Sequence, residues 1–372
     1  MERSIKKQIR DDLSRKMVFL AGPRQVGKTS LAKSLLIKGD HYLNWDYVED
    51  KEKILLNQWP TGKGLLILDE IHKYPEWRNV VKGLFDKRKE ELKILVTGSA
   101  RLEYYNYGGD SLQGRYYLHH LAPLTVGELN ISNLDDFNQL LELSGFPEPF
   151  FSGSLIERNR WARTYRDLLV REDIRDLENI SDLSKMEKLS LRLPELVASP
   201  LSLNGLREDL EVAHQTVSSW CDILERMYYI FRIYPIGHPQ IKANKKQAKH
   251  YHYDWALVKD PGARLENLVA VHLLSWCQKQ QDIFGKNITL NYYRDAEKRE
   301  VDFILSEDGQ PFKAIECKSK AKDIDTGIRY FKKNFSNVEC IQIELHNKAP
   351  YQNLDGTKAM PLIEFLKELG SP

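Results

Sequence analysis

The chain has 372 residues, and its 55 lysines and arginines nearly balance 53 aspartates and glutamates for a formal net charge of +2. That length implies two or three domains. The near-neutral balance excludes a protein whose whole surface is an electrostatic field for nucleic acid, so any basic surface must be local. Four cysteines, Cys221, Cys277, Cys317 and Cys340, form no C-x-x-C pair and read as reduced thiols. The charged start MERSIKKQIRDDLSRK does not read as a signal peptide and no apolar run is long enough to span a bilayer, so a cytoplasmic protein without membrane contact is expected. Within that start, Ile5, Ile9 and Leu13 recur at helical spacing and predict an amphipathic helix lying on the first domain.

The apolar run KMVFLA then leads into GPRQVGKT at Gly22–Thr29, and SLAKSLLIK comes next. Strand, glycine loop and helix in that order fit the phosphate-binding loop G-x-x-x-x-G-K-S/T. Gly22 and Gly27 let the backbone turn its N–H groups toward an anion, and the helix start adds a positive dipole end. Gly22, Pro23, Arg24, Gln25, Val26, Gly27, Lys28, Thr29 and Ser30 are therefore the expected nucleotide-binding residues. Lys28 is expected on the β- and γ-phosphates and Thr29 on Mg²⁺.

YLNWD predicts a further strand, and GLLILDE a strand buried on both faces with Asp69 and Glu70 at its carboxyl end. Carboxylates there lie in the crevice where α/β sheets bind ligands. Asp69 is the expected Mg²⁺ partner of Thr29, and Glu70 the group that polarises the attacking water. A third run, ELKILVTGSA, ends in Thr97, Gly98 and Ser99. Ser99 either senses the γ-phosphate and positions water or caps the following turn. The order of these runs points to a P-loop sheet in which another strand separates the Asp-Glu strand from the loop strand. Near the end of this region, Arg115 in SLQGRYYLHHLAPLTVGEL serves either as an arginine finger, in cis or from a neighbouring subunit, or as a structural ion-pair partner. No guanine-reading motif occurs: NKKQ at Asn244–Gln247 lacks the aspartate, so ATP is the expected nucleotide.

GPRQVGKTS, LLILDEIHKYPEW, ILVTGSA and SLQGRYYLHHLAPLTVGEL resemble, in order, the motifs of an AAA+-like bacterial and archaeal P-loop ATPase family. Its members carry a C-terminal domain of unknown function. The resemblance implies an ATP-binding and ATP-hydrolysing domain, with Lys28, Thr29, Asp69, Glu70 and Arg115 on family motif positions.

From Ser144 to Ile180 the chain is a polar, aromatic and helical connection. SPLSLNGLREDLEVAHQTVSSWCDILERMYYIFRIYPI then gives two helical patterns, a turn near Ala213 and His214, and the start of a β-hairpin. That order predicts a winged helix-turn-helix with Leu206, Leu210, Val217, Trp220 and Leu224 in its core. His214, Gln215, Ser218 and Ser219 are expected outward. Lys242, Lys245, Lys246, Lys249 and His250, beside Tyr251 and Tyr253, either grip phosphates or form a solvated loop.

VDFIL and FKAIECK predict two strands about a turn at Asp308-Gly309. Glu316 and Lys318, two apart, share a face. Carboxylates holding Mg²⁺ with a lysine beside the attacking water are what phosphodiester cleavage requires. For Asp302 to join them it must lie opposite Glu316, which a plain two-residue hairpin does not allow. A three-residue loop or a bulge shifts the register by one, and the odd-length loop is predicted. Upstream, PGARLENLVAVHLLSW predicts a helix carrying Glu266.

This Glu266–Asp302–Glu316-x-Lys318 order resembles the PD-(D/E)XK nucleases. RLENLVAVHLL, REVDFIL and IECKSK also match the C-terminal domain of the family above, extending the resemblance from Ile5 to about Phe331. DWAL at Asp254–Leu257 departs from the family's aspartate-glycine-leucine. The expected fold is α/β: an AAA+-like domain with a parallel sheet (1–143), a helical linker and winged helix-turn-helix (144–250), and a restriction-endonuclease-like domain (251–372). The expected function is a Mg²⁺-dependent ATPase acting on nucleic acid, DNA before RNA, with Glu266, Asp302 and Glu316 as metal ligands and Glu316 and Lys318 as catalytic residues. The rival is an ATP-driven switch controlling a protein partner through a catalytically silent nuclease-like module. A homo-oligomer is compatible with both.

Overall fold

Continuous apolar runs dominate the N-terminal third, and they become strands. The computed structural model describes residues 2–98, 102, 112–174, 182–236, 248–320, 323–346 and 349–370. Ser99, Lys242, Lys245 and Lys246 lie outside them. The chain forms two compact units, Met1–Ala122 with Asp282–Phe284, and Pro123–Gln281 with Gly285–Pro372.

The first unit opens with α1 (Lys6–Asp12), whose flank Ile5, Ile9 and Leu13 is buried as the spacing predicts. Then come β1 (Met17–Ala21), α2 (Lys28–Lys33), β2 (His41–Asn44), α3 (Val48–Leu55), β3 (Gly64–Asp69), α4 (Trp77–Arg88), β4 (Leu92–Thr97) and β5 (Tyr116–His120). All five strands are parallel, in the order β2-β3-β4-β1-β5. β4 therefore separates the Asp-Glu strand from the loop strand, as the order of apolar runs implies. The registers pair Asn44 with Asp69, Asp69 with Thr97, and Ala21 with His120, so these residues mark one carboxyl edge. β1 is buried at all five positions, and Phe19 stacks on Tyr116 at 4.2 Å between centroids. Strands covered on both faces need no polar alternation, which is why these segments read as unbroken hydrophobic runs.

In the second unit α5 (Leu134–Leu143), α6 (Pro147–Ser152), α7 (Leu155–Leu168), α8 (Leu183–Arg192), α9 (Leu203–Leu210) and α10 (His214–Arg226) precede β6 (Ile230–Pro235) and β7 (Lys249–His252). Leu206, Leu210, Val217, Trp220 and Leu224 are buried, as their helical spacing predicts. His214, Gln215 and Ser219 are exposed, but Ser218 is buried, because it follows Val217 onto the inner side of α10. β6 and β7 pair antiparallel, and β6 also pairs with β8, so this hairpin is built into the next sheet.

α11 (Pro261–Phe284), β8 (Ile288–Arg294), β9 (Glu300–Glu307), β10 (Gln310–Lys318), α12 (Thr326–Asn334), β11 (Glu339–Glu344), β12 (Tyr351–Gln352), β13 (Lys358–Pro361) and α13 (Leu362–Gly370) complete the chain. The sheet is mixed, in the order β12-β13-β11-β10-β9-β8-β6-β7. β8, β9 and β10 run antiparallel while β10 and β11 are parallel, the crossover being made by α12. Val301, Ile304, Ala314, Ile328 and Phe331 fill the core beneath α12. Trp255, which follows Asp254, is buried, and its Nε1 donates to the Leu140 carbonyl at 3.1 Å.

Candidate functional site

At the carboxyl edge of the first sheet the loop after β1 needs unusual backbone. Gly22 sits at φ +142° and Gly27 at φ +101°, a region L side chains avoid. A Cβ on Gly22 would also lie 2.4 Å from the Leu121 carbonyl oxygen. Gly22→Ala is therefore expected to distort the loop and weaken nucleotide binding by at least tenfold, read by titration with a fluorescent ATP analogue; unchanged affinity would refute this account of the loop. Gln25 also has positive φ, Val26 is buried and Ser30 is exposed at the start of α2. Pro23 and Gly22 offer their carbonyls to Lys28, whose Nζ donates to them at 2.6 and 2.9 Å. Arg3 reaches the same loop, donating to the Val26 carbonyl at 3.1 Å and to the Ala122 carbonyl at 2.5 Å.

Thr29 Oγ1 donates to Asp69 Oδ2 at 2.8 Å, and the Thr97 hydroxyl donates to Asp69 Oδ1. Asp69 is almost wholly buried, so its oxygens must be satisfied by such donors. Tyr42 supplies another, its hydroxyl donating to Asp69 Oδ2 at 2.6 Å and accepting from Asn44 Nδ2 at 3.0 Å. Burial, then the hydrogen bond to Asp69, raises the Tyr42 phenol above its ordinary pKa and keeps it a donor. Tyr42 and Asn44 lie two apart on β2, which places them on one face; that alternation in YLN was the signal for them. Hydroxyl and carboxylate oxygens in contact are hard donors, so Thr29 and Asp69 fit Mg²⁺.

Glu70 leaves the strand in a left-handed conformation, φ +57°. Its Oε2 lies 3.5 Å from Lys73 Nζ and 3.8 Å from His72 Nε2. Burial raises its pKa, against the pull of Lys73 and Lys28, which makes it a stronger base than a free carboxylate. Arg115 stands elsewhere. It immediately precedes β5, and Met17 N–H donates to its carbonyl, so it marks the amino edge of the sheet. The loop lies at the other end of the parallel partner β1, about 16 Å away for a five-residue strand. Its guanidinium forks onto Asp86 of α4, at 2.8 Å from Nε and 3.1 Å from Nη2. That position does not suit a finger acting within the same chain and fits the ion-pair alternative.

A second polar cluster lies in the second unit. The β9–β10 hairpin has the two-residue Asp308-Gly309 loop, both residues at positive φ, rather than the odd-length loop. The register shift comes instead from a bulge between Pro311 and Lys313. Beyond it Ile315 pairs with Phe303, so Asp302 falls opposite Glu316. Asp302 N–H donates to Glu316 Oε2 at 3.3 Å, and Asp302 Oδ2 accepts from Cys317 N–H at 2.9 Å. Lys318 Nζ lies 2.7 Å from Glu316 Oε1 and 3.2 Å from Asp325 Oδ2.

Two residues that sequence reasoning placed in a basic surface cluster are buried: Lys249 and His250 on β7. Lys249 Nζ lies 2.5 Å from Glu300 Oε1, 3.4 Å from Glu266 Oε1 and 3.9 Å from Asp302 Oδ1. Tyr251, two residues on and thus on the same face, donates its hydroxyl to Glu266 Oε1 at 2.7 Å. Tyr251 is buried too, so neither it nor Lys249 is a surface grip for phosphates. His250 Nε2 lies 2.9 Å from the Leu193 carbonyl.

Burial, then Asp302, pushes Glu266 up to about 8. The shortest ion pair of Lys249 is with Glu300. Burial also raises Asp302, against Lys249, and raises Glu316 well above the carboxylate range, reinforced by Asp302. Lys249 is drawn toward neutrality by burial, yet Glu266, Asp302 and Glu300 outweigh it and hold its pKa above the ordinary lysine value. Glu266, Asp302 and Glu316 thus gather as the sequence predicts, but they do not fit a divalent ion. Lys249 stands against two of them, and among the described residues no three His, Cys, Asp or Glu side chains are arranged to hold a metal.

Three family matches tile the sequence. Residues 14–130 match the AAA domain family, 134–260 a domain of unknown function (DUF8612) and 261–365 another (DUF4143). The chain carries an AAA domain. An uncharacterized protein of Mycobacterium tuberculosis is 24% identical over 315 residues, covering 80% of this chain and 69% of the relative. An uncharacterized protein of Methanocaldococcus jannaschii is 25% identical over 373 residues, covering 82% and 76%. Among solved structures, the Aeropyrum pernix ORC1 protein in complex with DNA aligns at TM-score 0.33 and 14% identity, over 71% of this chain and 91% of that one. Bacteroides Pif1 bound to ssDNA aligns at TM-score 0.25 and 12% identity, over 67% and 63%. Superpositions this loose say nothing about what the AAA-domain chain binds. No helix among its described residues is long and apolar enough to cross a membrane.

Proposed function

We propose that the chain is a Mg²⁺-dependent ATPase whose nucleotide state switches a nuclease-like C-terminal module that binds without cleaving. The observation that carries the first half is the meeting of Lys28, Thr29 and Asp69 at one carboxyl edge, with Thr29 Oγ1 2.8 Å from Asp69 Oδ2. In this reading the loop from Gly22 to Ser30 cradles the phosphates, and Lys28 exchanges the Gly22 and Pro23 carbonyls for phosphate oxygens. Thr29 and Asp69 would hold Mg²⁺, which when bound neutralises phosphate charge. Glu70 takes a proton from the attacking water, Thr97 and Tyr42 fix the Asp69 carboxylate, and Arg115 serves Asp86.

The order α11, β8, β9, β10, α12, β11, with Glu266, Asp302, Glu316 and Lys318 facing one another, supports a restriction-endonuclease-like module. The helices α9 and α10 followed by the β6–β7 hairpin support a winged helix-turn-helix. Lys249 among the acidic groups favours binding over hydrolysis. The intact Glu316–Lys318 pair keeps a second reading alive, phosphodiester cleavage of DNA or RNA. The test incubates wild type and Lys318→Ala with labelled DNA and RNA, in Mg²⁺ or Mn²⁺, with and without ATP. We expect ATP hydrolysis and no cleavage by the wild type. Cleavage that Lys318→Ala abolishes would reinstate the nuclease, and absence of ATP turnover would defeat the ATPase.

A further inference from the structure

We propose that the Lys249 ammonium is the resident cation of the acidic pocket in the second unit, standing where a divalent ion would have to bind, so that the pocket excludes divalent metals. The inference deepens the silent-module reading and does not depend on the ATPase half.

Geometry makes the exclusion specific. A divalent ion held by Glu266 and Asp302 would sit within about 2.0–2.6 Å of their oxygens. Lys249 Nζ is already 3.4 Å from Glu266 Oε1 and 3.9 Å from Asp302 Oδ1, while making its closest contact, 2.5 Å, to Glu300. A second cation there would face the ammonium at contact distance in a largely buried environment, where repulsion is screened less than at the surface. Nor can the lysine easily swing away. Its side chain is fully buried, β7 is held by pairing with β6 and by a bridge to Pro200, and Nζ also lies 5.4 Å from the centre of the Tyr292 ring. Other donors also reach these carboxylates: the Tyr251 hydroxyl at Glu266 Oε1, Cys317 N–H at Asp302 Oδ2 and Lys318 at Glu316 Oε1. An acidic pocket whose charge is already offset by its own buried lysine gains little from a metal.

The test is a Mn²⁺ titration of the full chain without nucleotide, reading free Mn²⁺ by electron paramagnetic resonance and the melting temperature in parallel. Wild type and Asp302→Asn should give superimposable binding curves, and Mn²⁺ should leave the melting temperature of the second unit unchanged. Lys249→Met should gain one Mn²⁺ site per chain, at least tenfold tighter than any wild-type binding, with a melting temperature that rises with Mn²⁺. The double variant Lys249→Met/Asp302→Asn should lose that site. A wild-type Mn²⁺ site that Asp302→Asn removes would overturn the proposal, and so would a folded Lys249→Met chain that takes up no Mn²⁺. The wild-type comparison decides even if Lys249→Met does not fold. Absent ATP turnover would count against the ATPase and leave this titration unaffected.

Discussion

Lys28→Ala should lower ATP turnover roughly 10³-fold or more and weaken nucleotide binding with it. The lysine is the buried cation of the loop, and its Nζ is held 2.6–2.9 Å from two loop carbonyls that phosphate oxygens would replace as acceptors. Alanine leaves the anion facing backbone N–H groups alone, so ground-state binding and transition-state charge lose the same partner. Glu70→Gln should behave differently. The amide keeps the size and the left-handed start of the turn but cannot accept a proton, so ATP binding persists while kcat falls about 10²–10⁴-fold. Phosphate release and fluorescent-nucleotide titration, run side by side on both variants, separate the two effects. Wild-type turnover in Lys28→Ala, or loss of binding in Glu70→Gln, would contradict the assigned roles.

The first site was legible in the sequence because its residues sit on strands whose position is set by hydrophobicity alone. Parallel strands buried on both faces announce themselves as LLILD or KILVT, and the residues just past the last apolar position must lie at the carboxyl edge. Arg115 was not legible in the same way. Its ion pair with Asp86 depends on which end of β5 it occupies, and strand direction is a tertiary fact. In the second site the requirement that Asp302 face Glu316 was readable from two-residue periodicity. The device that meets it was not, since a bulge near Phe312 serves as well as a longer loop. Lys249 was misread outright. Neighbouring lysines make KKQAKHYHYDW look like a solvated loop, and only the pairing of β7 with β6 draws the lysine inward. The same-face spacing of Lys249 and Tyr251 was visible, but its meaning depends on Glu266 and Glu300, 17 and 51 positions further along.

Because Lys249 compensates buried acids, removing it should cost more than its hydrogen bonds suggest. Breaking a buried ion pair by deleting one partner typically costs about 3–5 kcal/mol, since the other charge is left without water or counter-ion. Here the lower end, about 3 kcal/mol, is expected for Lys249→Met, because Arg294 Nη1 still lies 3.3 Å from Glu300 Oε2 and offsets part of its charge. Glu300→Gln should cost less, about 1–2 kcal/mol, because that side chain is partly exposed and the amide oxygen still accepts from Lys249. The double variant should recover at least about 1 kcal/mol relative to the sum, since methionine beside a neutral glutamine strands no charge on Glu300. Urea unfolding in EDTA, followed through the transition of the second unit, measures all four corners of the cycle without metal rescuing the lysine variant. Additive costs would mean that Lys249 and Glu300 stabilise the sheet separately, and would remove the ion pair as the reason that β7 holds a charged residue in the core.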